Sequence, residues 1–470
     1  MTASPFTPPT TPGRRPRPED VLDAAVAAAA RGAGALSRLA HLGAGTTIPG
    51  RVVQAVDRGF LARRAGRLSL GSVVVSGTNG KTTTASMLQS VLRAEGWTVV
   101  ANRSGANLRS GVVAALLSAR GAPETGVFEI DEAALPTLVG EIRPRILLLT
   151  NVFRDQLDRF PEPERVGALL RRAADALPKG ATVVANADDP LLWAALEGLD
   201  PVGFSLITPE SAPSREGPAF DAEPEACFRC GGTLTFERRT IANLGSARCP
   251  ACGWRSTAGR YVGRIVSLAG LEGSVLELDD ELITLPLGGI HNAYNAIAAL
   301  AAARELGIPT TRAVTAIEDF QPRFGRAEEL LFADRHVWMA LVKNPAGAGV
   351  VIQEVCADPR IGAVVVAISD RDADGRDVSW IWDADMERIA GLGVPVVAGG
   401  TRAADAAVRL KYAGRTPVAI ATEPMQAIRE GVARCGPDRV LAVLATYPAM
   451  LDIRQALLGA RAARVEDDAA

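Results

Sequence analysis

The segment 76–84 has the residue types and spacing of a phosphate-binding turn. A β-branched run at 73–75 leads into the sequence Gly-Thr-Asn-Gly-Lys-Thr at 77–82, and a helical stretch follows. Backbone N–H groups of such a turn, with the N-terminus of the following helix, form a concave donor site for phosphate oxygens. Lys81 can reach the β- and γ-phosphates of a nucleotide, and the hydroxyl of Thr82 can bind Mg²⁺.

The turn departs from the complete G-x-x-x-x-G-K-[ST] pattern at one position. Val75 stands where that pattern has its first glycine, which leaves the shorter G-x-x-G-K-T. An ordinary tight turn with a solvated lysine is the alternative interpretation. The β run before the turn and the helix after it favour a nucleotide site, because the motif works in that context.

Three acidic residues, Glu129, Asp131 and Glu132, lie at or just after the end of the β-branched run at 127–130. Ligands of parallel α/β sheets bind beyond the carboxyl ends of the strands, and Mg²⁺ prefers carboxylate oxygens and retained waters. Glu129 is therefore a candidate magnesium ligand. Asp131 is interpreted as a helix-capping residue. The alternatives are a first-turn helix role for Glu129 and metal binding for Asp131.

Four of the six cysteines have the spacing of a zinc ribbon. The pattern C-x2-C-x18-C-x2-C comprises Cys227, Cys230, Cys249 and Cys252. Each C-x2-C pair can direct two thiolates at one tetrahedral ion, and four thiolates leave no open position for a substrate. The pattern predicts a structural Zn²⁺, with four reduced thiols or two disulfides as alternatives. A ribbon alone is also compatible with nucleic acid binding, which the net charge does not favour.

An acidic loop follows the β-branched run at 363–368. Asp370, Asp372, Asp374 and Gly375 imitate the first ligand positions and the glycine of a calcium-binding loop. The final ligand position holds Ile381 instead of the chelating glutamate, so the calcium interpretation is poor. A solvated acidic turn is the plainer alternative.

Short β-branched runs that alternate with helical stretches must position these residues. Such alternation predicts βαβ units on a parallel sheet. The first unit extends to about residue 204, and its runs lie at 73–75, 99–101, 127–130, 146–150 and 183–185. Residues 205–226 are rich in Pro, Ser and Glu and predict a linker or loop. Beyond the cysteines, 261–285 predicts short strands and 291–306 an alanine-rich helix.

A second unit of about five strands begins after a boundary at 321–326. Its runs lie at 337–342, 363–368, 394–397, 418–421 and 440–444. The turn Lys343-Asn344-Pro345 after the first of these runs either faces a ligand or starts a helix. The fold class is therefore α/β, with two units in one chain.

The composition places the chain among ordinary globular proteins. Its 470 residues exceed what one hydrophobic core usually supports, and 48% hydrophobic with 22% charged residues exclude a mostly disordered chain. The formal net charge of −2 gives no global attraction for nucleic acid or an anionic membrane. No apolar run approaches the ~18–20 residues of a membrane span. Residues 1–18 contain six prolines and no apolar h-region, so we expect a flexible tail and a cytoplasmic protein.

Four motifs together resemble the Mur ligase family. They are the turn at 76–83, Thr150-Asn151 with Asp155 and Asp158, the helix start at 289–296, and Gly325-Arg326-Ala327-Glu328. The resemblance covers roughly residue 71 to the C-terminus. With the proline-rich start taken as a disordered tail at 1–20, it implies a central P-loop domain with a parallel sheet at 21–322. It also implies a zinc-ribbon insert at about 224–256 and a Rossmann-like C-terminal α/β domain at 323–470.

By this resemblance the chain activates a carboxylate with ATP. An acyl phosphate forms and an amine attacks it, while Lys81, Thr82 and Mg²⁺ offset the charge of the transferred phosphoryl group. Lys81 and Glu129 are implied catalytic residues, and Thr82 and Glu129 are implied magnesium ligands. The implied nucleotide-binding residues are Gly77, Thr78, Asn79, Gly80, Lys81, Thr82, Thr83, His291, Asn292, Asn295 and Arg326. The alternatives are a plain helix start for His291 and Asn292, an exposed helical position for Asn295, and a surface ion pair for Arg326.

Two departures from the usual family pattern argue against a standard amino-acid-adding ligase. Many Mur ligases have Asp-His-x-Asp where this chain has Asp-Gln-Leu-Asp at 155–158, so a second metal ligand is lost. Many also carry a carbamylated lysine further along the chain, where this sequence has Leu-Leu-Arg-Arg at 169–172. Arginine does not present the neutral amine that carbamylation requires.

A ribbon in such a central domain, without that lysine, resembles the MurT-type subunits of the family. These pair with a glutamine amidotransferase subunit of the GatD type as lipid II isoglutaminyl synthase, at the inner face of the membrane. The resemblance implies that ammonia from the partner amidates the α-carboxylate of D-isoglutamate in the lipid II stem peptide, a step of peptidoglycan synthesis. Asp377 or Asp374 would complete the partner's Cys–His pair, and Trp380 and Trp382 suit an interface or a core edge.

Two other functions stay open on the sequence. One is a free-standing ligase of the Mur or folylpolyglutamate type that adds an amino acid without a partner. The other is a nucleotide-switched scaffold without ligase chemistry.

Overall fold

The computed structural model describes residues 48–102, 105–119, 121–153, 163–209, 226–321, 327–371 and 376–468. Several predictions fall outside these ranges. They concern the tail at 1–20, Asp155 and Asp158, the segment around Arg326, and the part of the acidic loop that contains Asp372, Asp374 and Gly375.

The first part of the described chain contains eleven strands. They are β1 (Ser72–Ser76), β2 (Val99–Ala101), β3 (Thr125–Glu129), β4 (Ile146–Leu149), β5 (Thr182–Asn186), β6 (Val202–Ile207), β7 (Thr235–Ile241), β8 (Leu244–Arg248), β9 (Tyr261–Leu268), β10 (Ser274–Leu278) and β11 (Glu281–Leu285). Nine of these described strands form one sheet, in the order β11-β10-β9-β6-β5-β4-β1-β3-β2. Its pairs from β9 to β2 are parallel, and β10 and β11 add an antiparallel edge.

Helices cover both faces of this sheet. They are α1 (Ile48–Val56), α2 (Phe60–Ala65), α3 (Lys81–Ala94), α4 (Arg109–Ser118), α5 (Leu135–Ile142), α6 (Pro163–Asp175), α7 (Pro190–Ala195), α8 (Ile290–Glu305) and α9 (Thr310–Glu318). Helices α3, α8 and α9 pack on one face, and the others pack on the opposite face. Strand β1 is buried along its whole length, as expected for a central parallel strand between two helical layers.

Strands β7 and β8 form a separate antiparallel hairpin between β6 and β9. This hairpin belongs to the cysteine ribbon, because Cys227 and Cys230 precede it and Cys249 and Cys252 follow it.

A second sheet follows residue 327. Its six strands within the described chain are β12 (Glu328–Phe332), β13 (Arg335–Leu341), β14 (Ile361–Ala367), β15 (Val396–Gly399), β16 (Ala419–Ala421) and β17 (Val440–Ala445), in the order β12-β13-β17-β14-β15-β16. All pairs are parallel except β12 with β13. The helices on its faces are α10 (Pro345–Ala357), α11 (Met386–Gly391), α12 (Ala403–Tyr412), α13 (Pro424–Arg434) and α14 (Tyr447–Asp468).

Each predicted β-branched run overlaps a strand, and the α/β class is confirmed. Two predictions are wrong in detail. The first unit does not end near residue 204, because β6 continues to Ile207 and pairs with β9, so the predicted linker at 205–226 starts too early. The second unit has six described strands instead of about five, because the half-exposed edge strand β12 was missed.

Candidate nucleotide-binding site

The phosphate turn lies between β1 and α3, at the carboxyl end of the central strand. Gly77 has a φ of +124° and Gly80 a φ of +83°, conformations that residues with a side chain rarely adopt. A Cβ at Gly77 would lie 2.4 Å from Thr150 Oγ1, and one at Gly80 would lie 2.1 Å from Asn295 Oδ1. The turn therefore presents bare backbone at the N-terminus of α3, which fits phosphate oxygens.

Thr150 and Asn151, at the end of β4, fix the conformation of this turn. Thr150 Oγ1 donates to the Asn79 carbonyl at 2.7 Å, and the Asn79 N–H donates to Asn151 Oδ1 at 2.8 Å. The Asn151 carbonyl accepts the Thr78 N–H at 2.9 Å. This pair thus supports the turn from the adjacent parallel strand.

The ammonium group of Lys81 is held at the inner side of the turn. Its Nζ donates to the carbonyl of Gly77, to that of Thr78 at 3.2 Å, and to Glu132 Oε1 at 2.8 Å. The Lys81 and Glu132 side chains are 11% and 8% exposed. A cation in this position provides the charge that the phosphates of a nucleotide require.

Thr82 and Glu129, predicted as magnesium ligands, lie in contact. Thr82 Oγ1 donates to Glu129 Oε2 at 2.6 Å. Asn102 positions Glu129, because the Glu129 N–H donates to Asn102 Oδ1 at 2.9 Å and Asn102 Nδ2 donates to the Glu129 carbonyl at 2.8 Å. A hydroxyl and a carboxylate are the hard oxygen ligands that Mg²⁺ prefers, so this pair fits the ion.

Asp131 does not cap α5 as predicted. Its Oδ1 accepts the N–H of Ala133 at 3.1 Å, while α5 begins at Leu135 with Ala134 as the N-cap residue. Asp131 therefore closes the turn that leads to the helix, and it also lines the cavity described below.

The start of α8 brings its three predicted residues to the same region. Asn292 Nδ2 donates to the Gly288 carbonyl at 2.8 Å, and Asn295 Oδ1 accepts the Thr84 hydroxyl at 3.2 Å. His291 Nδ1 lies 3.1 Å from Glu354 Oε1 of α10, but the two atoms are not aligned for a hydrogen bond. Asn292 and Asn295 therefore support the helix start and the phosphate turn, and His291 faces the second unit.

A cavity of about 440 Å³ joins these residues to the second α/β unit. The wall of the second unit includes Trp338, Lys343 and Gly347. Asn344 caps α10 by accepting the Gly347 N–H at 2.8 Å, and its amide exchanges hydrogen bonds of 3.1 and 3.3 Å with the amide of Asn79. The turn at 343–345 thus both starts a helix and faces the cavity.

Asp189, the N-cap residue of α7, anchors the segment behind the phosphate turn. Its Oδ2 accepts the Val152 N–H at 2.6 Å, and its Oδ1 accepts the Leu192 N–H at 3.0 Å. Burial raises the pKa of Asp189 to about 7. The position of Val152 and Phe153 therefore depends on a fully buried carboxyl group.

The four ribbon cysteines converge on one point. Their Sγ atoms all lie within 4.8 Å of one another, with 3.6 Å between Cys227 and Cys252 and 3.5 Å between Cys230 and Cys249. A tetrahedral ion with Zn–S bonds of about 2.3 Å places its sulfurs about 3.8 Å apart. A disulfide requires about 2.05 Å, so the four cysteines are not paired as disulfides in the structure, and their spacing fits one Zn²⁺.

Asp377 and the two tryptophans do not line the cavity. Asp377 Oδ1 accepts the Ser379 N–H at 2.8 Å, and hydrogen bonding from Ser379 lowers the pKa of Asp377. Trp380 is buried in the core of the second unit, whereas Trp382 is 47% exposed. The Trp382 ring packs edge-on against Tyr412, with 5.6 Å between centroids. Trp380 therefore belongs to the core, and Trp382 is a half-exposed residue that packs against Tyr412.

Several residues that organise or line the cavity were not predicted. Among them are Asn102, Glu132, Phe153, Trp338 and Tyr447. Glu132 belongs to the acidic run at 129–132, but the turn that brings its carboxylate to Lys81 leaves no sequence signal. Trp338 and Tyr447 reach the cavity from the second unit, so only the tertiary structure reveals them.

Comparisons with known proteins agree with this architecture. The Mur ligase middle domain family matches residues 75–209, and the MurT ligase C-terminal family matches residues 341–450. A pseudomurein peptide ligase type C from Methanothermus fervidus superposes with a TM-score of 0.62 at 20% identity, over 82% of this chain and 77% of that one. MurF ligase from Thermotoga maritima, in complex with ADP, gives 0.61 at 16% identity, over 87% and 85% of the two chains. The fold is that of the Mur ligases.

Relatives in sequence show to which family among the Mur ligases the chain belongs. Subunit MurT of lipid II isoglutaminyl synthase (glutamine-hydrolyzing) from Streptococcus pneumoniae is 34% identical over 442 residues, which are 91% of this chain and 96% of that protein. Its counterpart from Staphylococcus aureus strain COL is 31% identical over 375 residues, covering 78% and 83%. The chain belongs to the MurT family. Across the described ranges, no helix has both the length and the apolar character needed to cross a membrane.

Proposed function

We propose that this chain is the ATP-dependent synthetase subunit of a glutamine-dependent amidotransferase that acts on lipid II. The α-carboxylate of D-isoglutamate in the stem peptide attacks the γ-phosphorus of ATP, which gives an acyl phosphate and ADP. Ammonia then attacks the acyl carbon, phosphate leaves, and D-isoglutamine results. The observation that carries the proposal is the arrangement of Lys81 on the phosphate turn and of Thr82 on Glu129 in one cavity.

Each residue of this arrangement has a distinct role in the proposal. Lys81 offsets negative charge on the phosphoryl group during transfer, which is mainly electrostatic catalysis. Thr82 and Glu129 would hold a Mg²⁺ ion, which neutralises phosphate oxygens. His291, Asn292 and Asn295 would form the nucleoside side of the cavity, and Arg326, which lies outside the described residues, would contact the phosphates.

The sequence of helix α6 supports ammonia, and not an amino acid, as the amine that attacks the acyl phosphate. The segment where many Mur ligases place a carbamylated lysine contains Arg171 and Arg172. Arg171 forms an ion pair with Asp175 at 3.0 Å and donates to the carbonyls of Ala195 and Glu197, so it lies between α6 and the end of α7. It does not line the cavity.

The proposed source of ammonia is a glutamine amidotransferase subunit of the GatD type, in a heterodimer at the inner face of the membrane. Asp377, or Asp374 beyond the described residues, would orient the histidine of the partner's Cys–His pair. The lowered pKa of Asp377 keeps its carboxylate charged, as that role requires. The exposed Trp382 and Tyr412 lie on the same unit and provide apolar area for a partner.

Reconstitution tests the proposal directly. The purified chain is mixed with the partner, lipid II, Mg-ATP and glutamine, and amidated stem peptide is measured by mass spectrometry. Replacing glutamine with ammonium chloride should allow amidation without the partner. Lys81→Ala should abolish both reactions, whereas Lys179→Ala, a change at an exposed lysine of the same unit, should leave them unchanged. A folded complex that forms ADP but no amide contradicts the proposal.

A further inference from the structure

The β7–β8 hairpin of the cysteine ribbon ends inside the candidate nucleotide site. Its turn, Ile241-Ala242-Asn243-Leu244, has exposures of 5%, 0%, 9% and 2%, although hairpin turns ordinarily lie on the surface. Ala242 has a φ of +44°, a left-handed conformation that is uncommon for alanine. The surrounding structure must therefore hold this turn in place.

Ile241 and Leu244 form part of the cavity wall. Both line it together with the phosphate turn and Tyr294 of α8, and both belong to one core cluster with Phe153 and Tyr294. Aliphatic side chains offer no hydrogen-bonding groups, so they suit the flat face of a heterocyclic base. The phosphate turn and Lys81 provide the polar contacts that the other end of a nucleotide needs.

Hydrogen bonds connect the hairpin to the rest of the site. The Tyr294 hydroxyl lies 2.7 Å from Thr240 Oγ1 and donates to Asp188 Oδ2 at 2.7 Å. The Gly245 N–H donates to the Asp188 carbonyl at 2.7 Å. Tyr294 follows His291 and Asn292 on α8, so the same helix start bears the predicted nucleoside contacts and the attachment of the hairpin.

The other end of the hairpin reaches the cysteine cluster. Strand β8 runs from Leu244 to Arg248, and Cys249 follows directly. At about 3.3 Å per residue, Leu244 and Cys249 are about 17 Å apart along the strand. The cysteine end has a small core of Cys227, Leu234, Ala247, Cys249 and Trp254. Because a lone hairpin is marginally stable in water, metal binding by the thiolates adds rigidity at the end of the hairpin that lies away from the buried turn.

We propose that the ribbon hairpin forms the wall against which the nucleotide base packs, through Ile241 and Leu244. Metal bound by the four cysteines then controls nucleotide affinity from a distance, by keeping this wall in place. The inference rests on the proposed function, since it takes the cavity as the ATP site. It assigns the ribbon a specific role in substrate binding, beyond local folding.

The wall is tested by comparing two ligands. Binding of Mg-ATP and of Mg-tripolyphosphate, which has the phosphates but no base, is measured by calorimetry for wild type and Leu244→Ala. We expect the ATP dissociation constant to rise about tenfold while tripolyphosphate affinity stays the same. Ile283→Ala is the matched control, because Ile283 is fully buried in the same core cluster but does not line the cavity.

Two further variants cover folding and the metal. Ile241→Val removes one methyl group, so it folds even where Leu244→Ala does not, and ATP binding should weaken about two- to threefold. Cys252→Ser, with zinc loss confirmed by elemental analysis, should weaken ATP binding and leave tripolyphosphate binding unchanged.

The outcomes separate the two proposals. Unchanged ATP affinity in Leu244→Ala would contradict the proposed packing of the base against the hairpin. An equal loss of affinity for ATP and tripolyphosphate would also contradict it, because that result indicates a distorted phosphate turn. Unchanged ATP affinity in zinc-free Cys252→Ser overturns the role of the metal. Wild type that binds neither ligand rejects the proposed function itself.

Discussion

Replacing Glu132 with glutamine tests how charge is arranged around the phosphate turn. Lys81 Nζ and Glu132 Oε1 are 2.8 Å apart, and their side chains are 11% and 8% exposed, so the carboxylate compensates a buried ammonium group. Removing one partner of a buried ion pair costs about 3–5 kcal/mol. Glutamine still accepts a hydrogen bond, and the carbonyls of Gly77 and Thr78 remain, so we expect a loss of about 2–3 kcal/mol.

The loss is measured by urea unfolding with and without Mg-ATP. Phosphates bound at the turn compensate Lys81 in both proteins, so saturating nucleotide should stabilise Glu132→Gln more than wild type. Asp175→Asn is the control, because its exposed pair with Arg171 contributes at most about 0.5 kcal/mol. If Glu132→Gln unfolds at the same urea concentration as wild type, or if nucleotide stabilises both proteins equally, the charge argument is wrong.

Three other perturbations address the metal sites and a buried acid. Glu129→Gln keeps an acceptor for Thr82 but removes the ligand charge, so the Mg²⁺ concentration for half-maximal ADP formation should rise about tenfold or more; an unchanged Mg²⁺ dependence would place the ion elsewhere. Cys252→Ser should reduce zinc content from one equivalent to none, and full retention of zinc would refute the four-thiolate site. Since burial raises the pKa of Asp189 to about 7, the folded state keeps a proton that the unfolded state releases above about pH 4. Stability should therefore decline as pH rises from about 4 to 7. Asp189→Asn should remove this part of the decline in Tm, and parallel Tm curves for the two proteins would contradict it.

Local sequence predicted those parts of the site that are contiguous in the chain. The phosphate turn needs glycines with positive φ at 77 and 80, and the cysteine spacing brings four thiolates to one point, so both leave a readable pattern. The sequence did not predict a role for Glu132. Which of the acidic residues after β3 reaches Lys81 depends on the conformation of the turn there, and the sequence does not show that conformation. The buried hairpin turn at 241–244 was also missed, since a short apolar segment does not reveal which cavity it enters.

Elements of the fold that depend on distant parts of the chain were likewise not predicted from local sequence. Strands buried on both faces were found because β-branched runs mark them, whereas β12 was missed because its side chains alternate between half-exposed and exposed. Strand β6 was missed, because Ser205 looked like the start of a linker but lies buried in the sheet. Whether these segments form strands therefore depends more on the strands they pair with than on their own β propensity.

The reciprocal amide pair between Asn79 and Asn344 has a consequence for how nucleotides enter and leave. Asn79 belongs to the phosphate turn and Asn344 to the first residues of the second unit's leading helix, so separating the two units breaks both bonds. Each bond is between neutral groups and contributes only about 1 kcal/mol. The pair is thus weak enough to break whenever the units separate for exchange of ADP, and it orients the phosphate turn beside the apolar packing of Ala346 and Val350 against the first unit while a triphosphate is bound.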